Sequence, residues 1–581
     1  MRNQCCYHGP MRLLIVFSLI TVVFTDPLLK NTSYGQVLGT IKQKQVRVWY
    51  YIPYALPPTG NYRWTTPQPP ISWSSPYNAT KSTPYPACTQ PNSSQLVNSV
   101  IQEDCFYLTI YAPLNDSLRY PVMVWIHGGS NKAGSGFQYD GTTMVYEQNV
   151  IIVTINYRLG IFGNLALKQL QQEDMLNQTG TYGLLDQQFA LKWINQNIEN
   201  FGGNSSLITL FGESAGGSAI CAHLTSPFSY GLFQRVIIES QTCQAYQSLE
   251  QAFTRSAVII QNANCNKSNV LSCMRALTTQ NILLYDPNSQ GSSIWCTSVD
   301  GVSLLNFPII SISNGQYSKN ISIFIGTNLN EYSLFLCLTV NQLGKTQSSF
   351  SITDLQTLTS VALYDFNIKT STIINQLYPV NNYSDPYMCG VDIYTDAMFK
   401  CTAKYIADSM SSSSSVYMYS FEYHAGFSSS CTGIEHTYEL PYIWPTLQIA
   451  WYPYIANSAE LLLAKTMRSI WASFALYGTL LLPNGQSWPL YSKTTSTYGS
   501  FDTASSNVTI KNNFRTSTCS IFNPFYQNPP TNQHSFTFNS MALPSNQGST
   551  PTIKATFFID NLCTFLLLGI IKDFPYHIGY V

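Results

Sequence analysis

The composition of this chain narrows the possible classes of protein before any motif is considered. The chain has 581 residues, and 45% of them are hydrophobic, which is enough for a sizeable core. Only 10% of the residues are charged, against roughly 25% in an average soluble protein. The 29 basic and 29 acidic residues cancel, and the chain contains no Lys/Arg-rich run. Because nucleic-acid binding needs a basic surface, we expect no nucleic-acid partner.

The N-terminal segment, residues 1–25, is predicted to be a signal peptide. Arg2 and Arg12 precede the apolar run Leu13–Phe24. That run is too short to span a bilayer and has the length of the apolar region of a signal peptide. An N-terminal anchor or a buried helix is the alternative, because no small-x-small cleavage site precedes Asp26.

Cysteines and glycosylation sequons also support entry into the secretory pathway. The 15 cysteines are dispersed and form no C-x-x-C pair, a pattern more typical of disulfides in an oxidising compartment than of metal ligands. Asn-x-Ser/Thr sequences predict N-glycosylation on surface loops. We therefore expect a glycoprotein that is secreted or resides in the lumen of the secretory pathway. The sequons include Asn31, Asn78, Asn92, Asn115, Asn266, Asn320 and Asn507.

Strand-like runs alternate with helical patterns through most of the chain. Several runs are nearly continuous in Val, Ile and Leu, as expected of strands covered on both faces. One helical pattern begins near Leu185 and ends at Phe201, and another spans about Leu461–Tyr477. This alternation predicts an α/β fold with a large, mostly parallel central sheet flanked by helices. The strand-like runs are Val46–Ile52, Val122–Ile126, Val150–Asn156, Leu207–Phe211, Val236–Glu239, Ile321–Gly326 and Val416–Phe421.

A glycine-containing loop follows the second of these runs. The run Val122–Ile126 ends in His127-Gly128-Gly129-Ser130, a near match to the HGGG-type loop that supplies oxyanion-hole N–H groups. One missing donor in such a hole costs roughly 2.7–4 kcal/mol of transition-state stabilisation. The loop is therefore a candidate oxyanion hole.

The sequence Gly212-Glu213-Ser214-Ala215-Gly216 carries the strongest chemical signal. It fits G-x-S-x-G and comes directly after the run Leu207–Phe211, where a sharp strand-to-helix turn would expose the serine hydroxyl. Taken alone, the motif also fits an ordinary glycine-rich turn. Its position after a buried strand favours a nucleophilic Ser214, with the N–H of Ala215 as an additional oxyanion donor.

A serine nucleophile needs a histidine base and a carboxylate that orients it. In the serine-first chain order, the acid and then the histidine follow the nucleophile. Of the 7 histidines, this order and the sequence context leave His424 and His436 as candidates, and His424 lies in a strand-like region where a structural role is the simpler interpretation. Glu331 follows the run Ile321–Gly326 through a polar turn, as a triad acid would.

Other chemistries fit the sequence poorly. Gly344-Lys345-Thr346 lacks the first glycine of a phosphate-binding loop, and no H-E-x-x-H sequence occurs. We therefore predict neither a cofactor nor a metal site.

The composition changes after about Tyr526. Residues 527–581 are predicted to form a polar linker, which contains Pro529-Pro530, and an apolar tail. The apolar segment Ala555–Ile571 fits a lipid-anchor signal, a weak membrane span or a helix docked on the domain. Lys572–Val581 follows it, whereas a lipid-anchor signal normally ends in its hydrophobic stretch. The catalytic domain is accordingly predicted to span residues 26–526, and membrane attachment through the tail stays an open possibility.

Taken together, these motifs resemble those of the type-B carboxylesterases, the cholinesterase-like branch of the α/β-hydrolases. The resemblance runs from about Gly35 to Tyr526 and implies a single-domain α/β-hydrolase fold and ester hydrolysis. The segments that carry it are Glu103–Tyr111, Val124–Gly129, Asn156–Gly160, Tyr182–Gln188 and Phe211–Gly217.

The resemblance also implies residue roles. Ser214 would be the nucleophile, Glu331 the acid and His436 the base. Glu213 would lie beside the nucleophile, and Ser240 and Glu439 would support the triad. The disulfides implied are Cys88–Cys105, Cys265–Cys273 and Cys401–Cys519, and the cysteines left unassigned are Cys221, Cys243, Cys296, Cys337, Cys389, Cys431 and Cys563.

Two departures from the cholinesterases bear on the substrate. The segment Ser93–Gln102 contains no aromatic residue, although cholinesterases place there an aromatic ring that binds quaternary ammonium groups. The acyl-pocket phenylalanines are replaced by small residues near Gly291–Ser293. Together the departures favour uncharged esters over choline esters and indicate a roomier acyl pocket.

The sequence thus predicts a secreted serine esterase that acts through an acyl-enzyme, with oxyanion donors at Gly129, Ser130 and Ala215. The alternative is a catalytically weak or inactive protein that serves in adhesion or storage, because relatives of this family with a degraded triad have such roles. Ser130 stands where a third glycine is expected, and a positive φ there would strain the loop. We therefore expect modest activity in the natural protein.

Overall fold

A large mixed sheet forms the centre of the protein in the computed structural model. The model describes residues 26–91, 96–241, 243–266, 269–287, 295–363, 368–425, 431, 433–445 and 455–527, with the backbone of 534–539 and 554–559. The strands of the described residues are β1 (Leu29–Thr32), β2 (Gly35–Leu38), β3 (Thr40–Lys42), β4 (Val46–Pro53), β5 (Tyr77–Asn78), β6 (Tyr85–Cys88), β7 (Ser99–Gln102), β8 (Tyr107–Pro113), β9 (Tyr120–Ile126), β10 (Ile151–Ile155), β11 (Gly203–Glu213), β12 (Arg235–Glu239), β13 (Tyr246–Ser248), β14 (Thr297–Val299), β15 (Ser322–Asn328), β16 (Val416–Phe421), β17 (Tyr498–Phe501), β18 (Thr509–Lys511), β19 (His534–Asn539) and β20 (Lys554–Ile559).

The central sheet has eleven strands within the described residues, in the order β18-β17-β16-β15-β12-β11-β9-β10-β8-β4-β3. From β17 to β10 every neighbouring pair is parallel, and the pairs at both ends of the sheet are antiparallel. The mostly parallel sheet agrees with the α/β prediction. The carboxyl ends of β11, β12 and β15 consequently lie side by side at one edge, which is where open α/β sheets place their sites.

Helices connect and cover these strands. The α-helices of the described residues are Thr142–Gln148, Gly160–Asn164, Lys168–Glu173, Tyr182–Asn197, Ala215–Thr225, Leu249–Asn262, Val270–Ala276, Thr279–Tyr285, Pro308–Ser313, Ser333–Gln342, Ile352–Ala362, Thr370–Thr372, Pro386–Thr395, Cys401–Met410, Leu440–Ile443, Ser458–Tyr477 and Thr516–Gln527. Short 3-10 turns occupy Gly60–Tyr62, Gly136–Gln138, Ile198–Phe201, Pro227–Ser229, Gln347–Ser349 and Val380–Asn382, and π-helical turns occupy Ile373–Leu377 and Asp396–Lys400.

The sheet separates two apolar layers. Successive side chains of a strand point to opposite faces. In β9, Val122 and Val124 enter one layer, whereas Met123 and Trp125 enter the other. All four are fully buried. This burial on both faces explains why the predicted runs were continuous rather than alternating.

The observed elements extend the predicted ones at their ends. The run predicted at Leu207–Phe211 belongs to β11, which continues to Glu213 and therefore ends immediately before Ser214. The helix predicted to end at Phe201 closes with a 3-10 turn. Gly202 follows with φ 93°, a left-handed conformation that glycine adopts at little cost and that stops the helix.

The described backbone of the C-terminal segment forms two paired strands. His534–Asn539 forms β19, which pairs antiparallel with β20. β20 includes the first residues of the predicted apolar segment, and its Thr556, Phe557, Phe558 and Ile559 are residue types that favour strands. Residues 560–581 lie outside the described part of the chain. Within that part, no helix combines the length and the apolar character that a membrane crossing requires.

Candidate active site

The candidate site residues follow three neighbouring strand ends. Glu213 of β11 pairs in register with Glu239 of β12, and Glu239 pairs with Gly326 of β15. Ser214 and Ser240 come directly after the first two strands, and Glu331 follows the third. The parallel register therefore brings residues that are far apart in sequence to one edge of the sheet.

Ser214 occupies a strained turn between β11 and the helix Ala215–Thr225. Its backbone has φ 56° and ψ −122°, and its N–H donates to the Glu239 carbonyl at 3.0 Å. Glycines make this turn possible. A Cβ on Gly216 would lie 1.9 Å from the Ile126 carbonyl oxygen, so only glycine allows the helix to approach β9 so closely.

The histidine and the carboxylate predicted as base and acid are in contact. Nδ1 of His436 lies 2.8 Å from Oε2 of Glu331, and the other oxygen of Glu331 accepts the Asn328 N–H at 2.6 Å. His436 is 3% exposed and Glu331 is fully buried. The carboxylate is therefore held by its own turn and fixes the imidazole that it faces.

Two phenylalanine rings enclose the imidazole of His436. The ring centroids of Phe335 and Phe399 lie 5.1 and 5.2 Å from it. Phe399 belongs to the π-helical turn Asp396–Lys400, the kind of helix irregularity that is frequent at functional sites. The rings restrict rotation of the imidazole and exclude water from it.

The second ring nitrogen of His436 faces Glu213. Nε2 lies 3.1 Å from Oε1 of Glu213, but neither atom has an aligned hydrogen-bond partner. Glu213 immediately precedes Ser214. The imidazole thus bridges two carboxylates, and its Nε2 lies beside the turn that carries the serine.

The buried carboxylates control the charge of this histidine. Burial alone lowers the pKa of His436, but Glu213, Glu331 and Glu439 together outweigh burial and raise that pKa to about 9. Burial raises the pKa of Glu213 well above its usual value, and the nearby glutamates raise it further, against the opposing effect of His436. The site is built to stabilise the imidazolium form of His436.

Glu439 and Ser240 contact each other in a buried polar layer next to Glu331. Oε1 of Glu439 accepts a hydrogen bond from Oγ of Ser240 at 3.2 Å, and its Oε2 accepts one from Asn328 Nδ2. Burial, with the like charge of Glu331, raises the pKa of Glu439 to about 7. These contacts tie the strand ends of β12 and β15 to the chain just beyond His436.

Sequence reasoning missed two residues of this layer. Asn328 donates from Nδ2 to the Glu435 carbonyl at 2.9 Å as well as to Glu439. It therefore connects the turn that carries Glu331 (the acid turn) to the loop that carries His436 (the histidine loop). Glu239 is fully buried and accepts the Trp471 indole N–H at 2.9 Å. A polar residue at the last position of a buried strand is the signal that would have found both.

The predicted oxyanion loop passes directly over Ser214. A Cβ on Gly128 would lie 3.1 Å from Cβ of Ser214, and the Tyr157 hydroxyl anchors the loop by donating to the His127 carbonyl at 2.6 Å. Gly129 has φ 99°. The loop is close enough to the serine for its backbone to border a reacting carbonyl.

Ser130 has the positive φ that the sequence analysis expected to strain the loop. Its φ is 59°, in the left-handed region that side chains disfavour. Its carbonyl accepts the Trp295 N–H at 3.1 Å, and the neighbouring Asn131, with φ 52°, donates from Nδ2 to the Trp295 carbonyl at 3.0 Å. The loop is thus held in the strained form by contacts on its outer side.

The alternative base, His424, has other contacts. Its Nδ1 lies 3.0 Å from the Ala425 carbonyl oxygen, and its ring lies 6.2 Å from that of Tyr438. His436, and not His424, is the histidine that the structure places against Glu331.

Cysteine pairing goes beyond the three expected disulfides. Cys88–Cys105, Cys265–Cys273 and Cys401–Cys519 are all present. The structure also contains Cys221–Cys243 and Cys337–Cys431, which the sequence left unassigned. Among the described residues, Cys389 is a buried free thiol.

Part of the predicted substrate region lies outside the described residues. This applies to Gly291–Ser293 and to residues 93–95. The described remainder of the other segment, Leu96–Gln102, exposes Val97 and Val100. No cluster of metal-ligating side chains occurs in the described part of the chain.

The chain matches known esterases over most of its length. The carboxylesterase family matches residues 26–522. The chain is 32% identical over 484 residues to the para-nitrobenzyl esterase of Bacillus subtilis, covering 80% of this chain and 93% of that protein. It is 31% identical over 521 residues to liver carboxylesterase 1 of Oryctolagus cuniculus, covering 80% of this chain and 88% of that protein. It is also 30% identical over 562 residues to an acetylcholinesterase of Leptinotarsa decemlineata, covering 86% of each protein.

A solved structure agrees with these relatives. A PNB esterase superposes with a TM-score of 0.74 and 31% sequence identity, covering 86% of this chain and 100% of that chain. The fold is therefore the α/β-hydrolase fold, as predicted, with one large mixed sheet and helices on both faces. The chain belongs to the carboxylesterase family and is a serine-class hydrolase of carboxylic esters.

Proposed function

We propose that this chain is a secreted carboxylesterase that hydrolyses uncharged esters through an acyl-enzyme, with Ser214 as nucleophile, His436 as base and Glu331 as acid. The observation that carries the proposal is the buried contact of 2.8 Å between His436 and Glu331. It lies beside the residue that precedes Ser214. A nucleophile, a base and an orienting acid are the minimum set for this chemistry.

The reaction uses the two ring nitrogens of His436 differently. Nδ1–H is held by Glu331, so Nε2 is the nitrogen that accepts the Ser214 proton when the hydroxyl attacks the ester carbonyl. The same proton then passes to the leaving alcohol, which leaves an acyl group on Ser214. Water then attacks the acyl carbonyl and gives a proton to Nε2 of His436. As the bond between the acyl carbon and Oγ of Ser214 breaks, His436 returns that proton to Oγ and the acid is released.

During attack, negative charge develops on the ester carbonyl oxygen, which we place between the loop over Ser214 and the start of the helix Ala215–Thr225. We assign its stabilisation to the backbone N–H groups of Gly129, Ser130 and Ala215, two from the loop over Ser214 and one from the first residue of the helix. Glu213, 3.1 Å from Nε2, stabilises the imidazolium that forms during attack.

Labelling by a fluorophosphonate tests the nucleophile. We expect the probe to modify Ser214 in the wild-type protein, and Ser214→Ala to abolish both labelling and ester hydrolysis. Ser409→Ala is a matched control, because that serine lies on the helix Cys401–Met410 and donates to the Tyr405 carbonyl. Labelling that persists in Ser214→Ala would identify a different nucleophile. If the wild-type protein is never labelled, the adhesion or storage alternative replaces the enzymatic one.

The preference for uncharged esters rests on the missing aromatic ring in Ser93–Gln102. Without a ring from this segment, a quaternary ammonium gains no cation–π attraction there, which is worth about 0.5–2 kcal/mol. We therefore expect a higher kcat/KM for p-nitrophenyl butyrate than for butyrylcholine, measured by initial rates on the same preparation. A clear preference for the choline ester would contradict this assignment.

Secretion is supported by the five disulfides of the described residues together with the N-terminal apolar run and the sequons. The cytosol would keep such thiols reduced. Expression in a eukaryotic host should place the protein in the medium, with a mass that falls after removal of N-linked glycans. Retention inside the cell with reduced cysteines would argue against this compartment.

A further inference from the structure

One disulfide joins the chain segment of the acid to that of the base. Cys337 lies six residues after Glu331, in the helix Ser333–Gln342, and Cys431 lies five residues before His436. Their Cα atoms are 5.7 Å apart, and they are separated by 94 residues in sequence. Both cysteines are buried.

The chain before His436 has little regular structure to hold it. Between Phe421, where β16 ends, and Leu440, where the next helix begins, the described residues form neither helix nor strand. The position of His436 therefore depends on contacts with neighbouring segments. A loop that carries a catalytic group needs such anchors, because each unconstrained backbone residue loses conformational entropy when it is fixed in place.

The acid turn supplies the polar anchors. The Asn330 N–H donates to the Ile434 carbonyl at 2.9 Å, and the Ile434 N–H donates to Oδ1 of Asn330 at 3.2 Å. Nδ2 of Asn328 donates to the Glu435 carbonyl at 2.9 Å. These bonds hold the residues just before His436 against the residues just before Glu331.

The disulfide and the contact between His436 and Glu331 together close the two chain segments into a ring. From Glu331 the chain runs through Phe335, whose ring contacts the imidazole, to Cys337. The disulfide crosses to Cys431, and the chain then continues to His436. The 2.8 Å contact between His436 and Glu331 completes the ring. The base is thus attached to its acid both covalently and through a hydrogen bond.

We propose that Cys337 and Cys431 are positioning residues for this reaction, because their disulfide holds His436 in register with Glu331. The inference rests on the proposed function, since it assumes that these two residues are the base and the acid. A misplacement of about 1 Å in a catalytic group can cost on the order of a hundredfold in rate. Cys265–Cys273, which closes a short loop of 8 residues between two helices, has no such connection.

The double variant Cys337→Ala/Cys431→Ala tests the proposal. We expect kcat to fall by about tenfold or more while KM stays within about twofold, because substrate binding is retained and proton transfer is not. The rate of fluorophosphonate labelling at Ser214 should fall in parallel. The far-downfield proton resonance of the His436–Glu331 hydrogen bond should broaden or disappear. The control Cys265→Ala/Cys273→Ala should keep kcat and that resonance, whatever its thermal stability.

Mild reduction provides a second test that does not depend on the variant folding. The wild-type enzyme is titrated with dithiothreitol and assayed, and parallel samples are trapped with iodoacetamide and mapped by mass spectrometry. Loss of activity should follow the appearance of free Cys337 and Cys431. Full kcat in the double variant, or full activity after these two thiols are released, would overturn the proposal. In either case, labelling of wild-type Ser214 would leave the proposed function intact, whereas absence of labelling would defeat the function itself.

Discussion

Ser130 is the residue at which the loop over the nucleophile departs from a run of three glycines. It adopts φ 59° and is held there by Trp295 and Asn131. A side chain in this region costs about 1–2 kcal/mol, which glycine avoids. We therefore expect Ser130→Gly to raise the free energy of unfolding by about 1 kcal/mol, measured by urea denaturation, and to raise kcat with little change in KM.

Ser130→Ala is the matched control, because it removes the hydroxyl but keeps Cβ and hence the strain. It should give no gain in stability. If Ser130→Gly also gives none, the serine fits this loop without cost, and a lower kcat would show that its side chain contributes to the site.

The sequence predicted the candidate catalytic residues but not the residues that hold them. Ser214, Glu331 and His436 were selected because chain order, motif context and the family resemblance leave few choices. Asn328 and Glu239 were not found, because their roles depend on side-chain contacts across the strand ends. Motif and chain order alone could not choose between His424 and His436 as the candidate base, because that choice depends on the side-chain contact between His436 and Glu331.

A fully buried polar contact joins the helix Ser458–Tyr477 to the last residue of the strand β12. Trp471 of the helix donates to Glu239 at 2.9 Å, and the second oxygen of Glu239 has no hydrogen-bond partner. Burial, with the like charge of Glu439, raises the pKa of Glu239 to about 8. The strand end that supports Ser214 therefore carries a carboxyl that prefers to be protonated.

Replacement of this carboxyl by an amide should change the pH dependence of stability. An acid whose pKa is raised in the folded state binds its proton more tightly there, so its contribution to stability is present below the unfolded pKa and is lost as pH rises towards the folded value of about 8. Glu239→Gln removes this loss. Its stability relative to wild type should therefore increase between about pH 4.5 and 8, measured by urea denaturation across that range.

Glu173→Gln is the control for this range. A hydrogen bond from Arg275 lowers the pKa of Glu173, so its contribution to stability is lost only as pH falls below the unfolded value of about 4.5. The stability difference between Glu173→Gln and wild type should therefore stay constant between about pH 4.5 and 8. A constant stability difference for Glu239→Gln across the range would show that Glu239 is ionised in the folded protein throughout.

Strand prediction found seven strands of the central sheet and missed the others. The seven predicted runs all correspond to strands whose residues are mostly buried. No run was predicted at β8, although that strand is buried as well. β17 and the edge strand β18 are short and mixed in polarity, so periodicity did not reveal them. The π-helical turn that carries Phe399 has no sequence signature, because its extra residue per turn depends on tertiary packing.

The boundaries of the whole molecule lead to a further prediction. The family match ends at 522, and the last described helix ends at Gln527, with the Tyr526 hydroxyl donating to the Ala397 carbonyl at 2.7 Å. The strands β19 and β20 form a separate two-stranded sheet. We therefore propose that the catalytic domain ends near Gln527, and we expect a chain truncated there to keep its kcat/KM and its Tm.

Truncation after Arg515 is the comparison, because it removes the helix Thr516–Gln527 together with Cys519, the partner of Cys401. That shorter chain should unfold at a clearly lower temperature. If the cut after Gln527 already abolishes activity, the C-terminal segment is part of the catalytic unit.

The wide spacing of the site residues along the chain sets the order in which activity can arise during synthesis. Ser214 is made about 220 residues before His436. At roughly 5–20 residues per second, the serine is made on the order of ten to forty seconds before its base exists. Contacts between such distant segments also form slowly. With the proposed triad, we therefore expect a nascent chain to have no esterase activity until the loop that carries His436 joins the completed sheet.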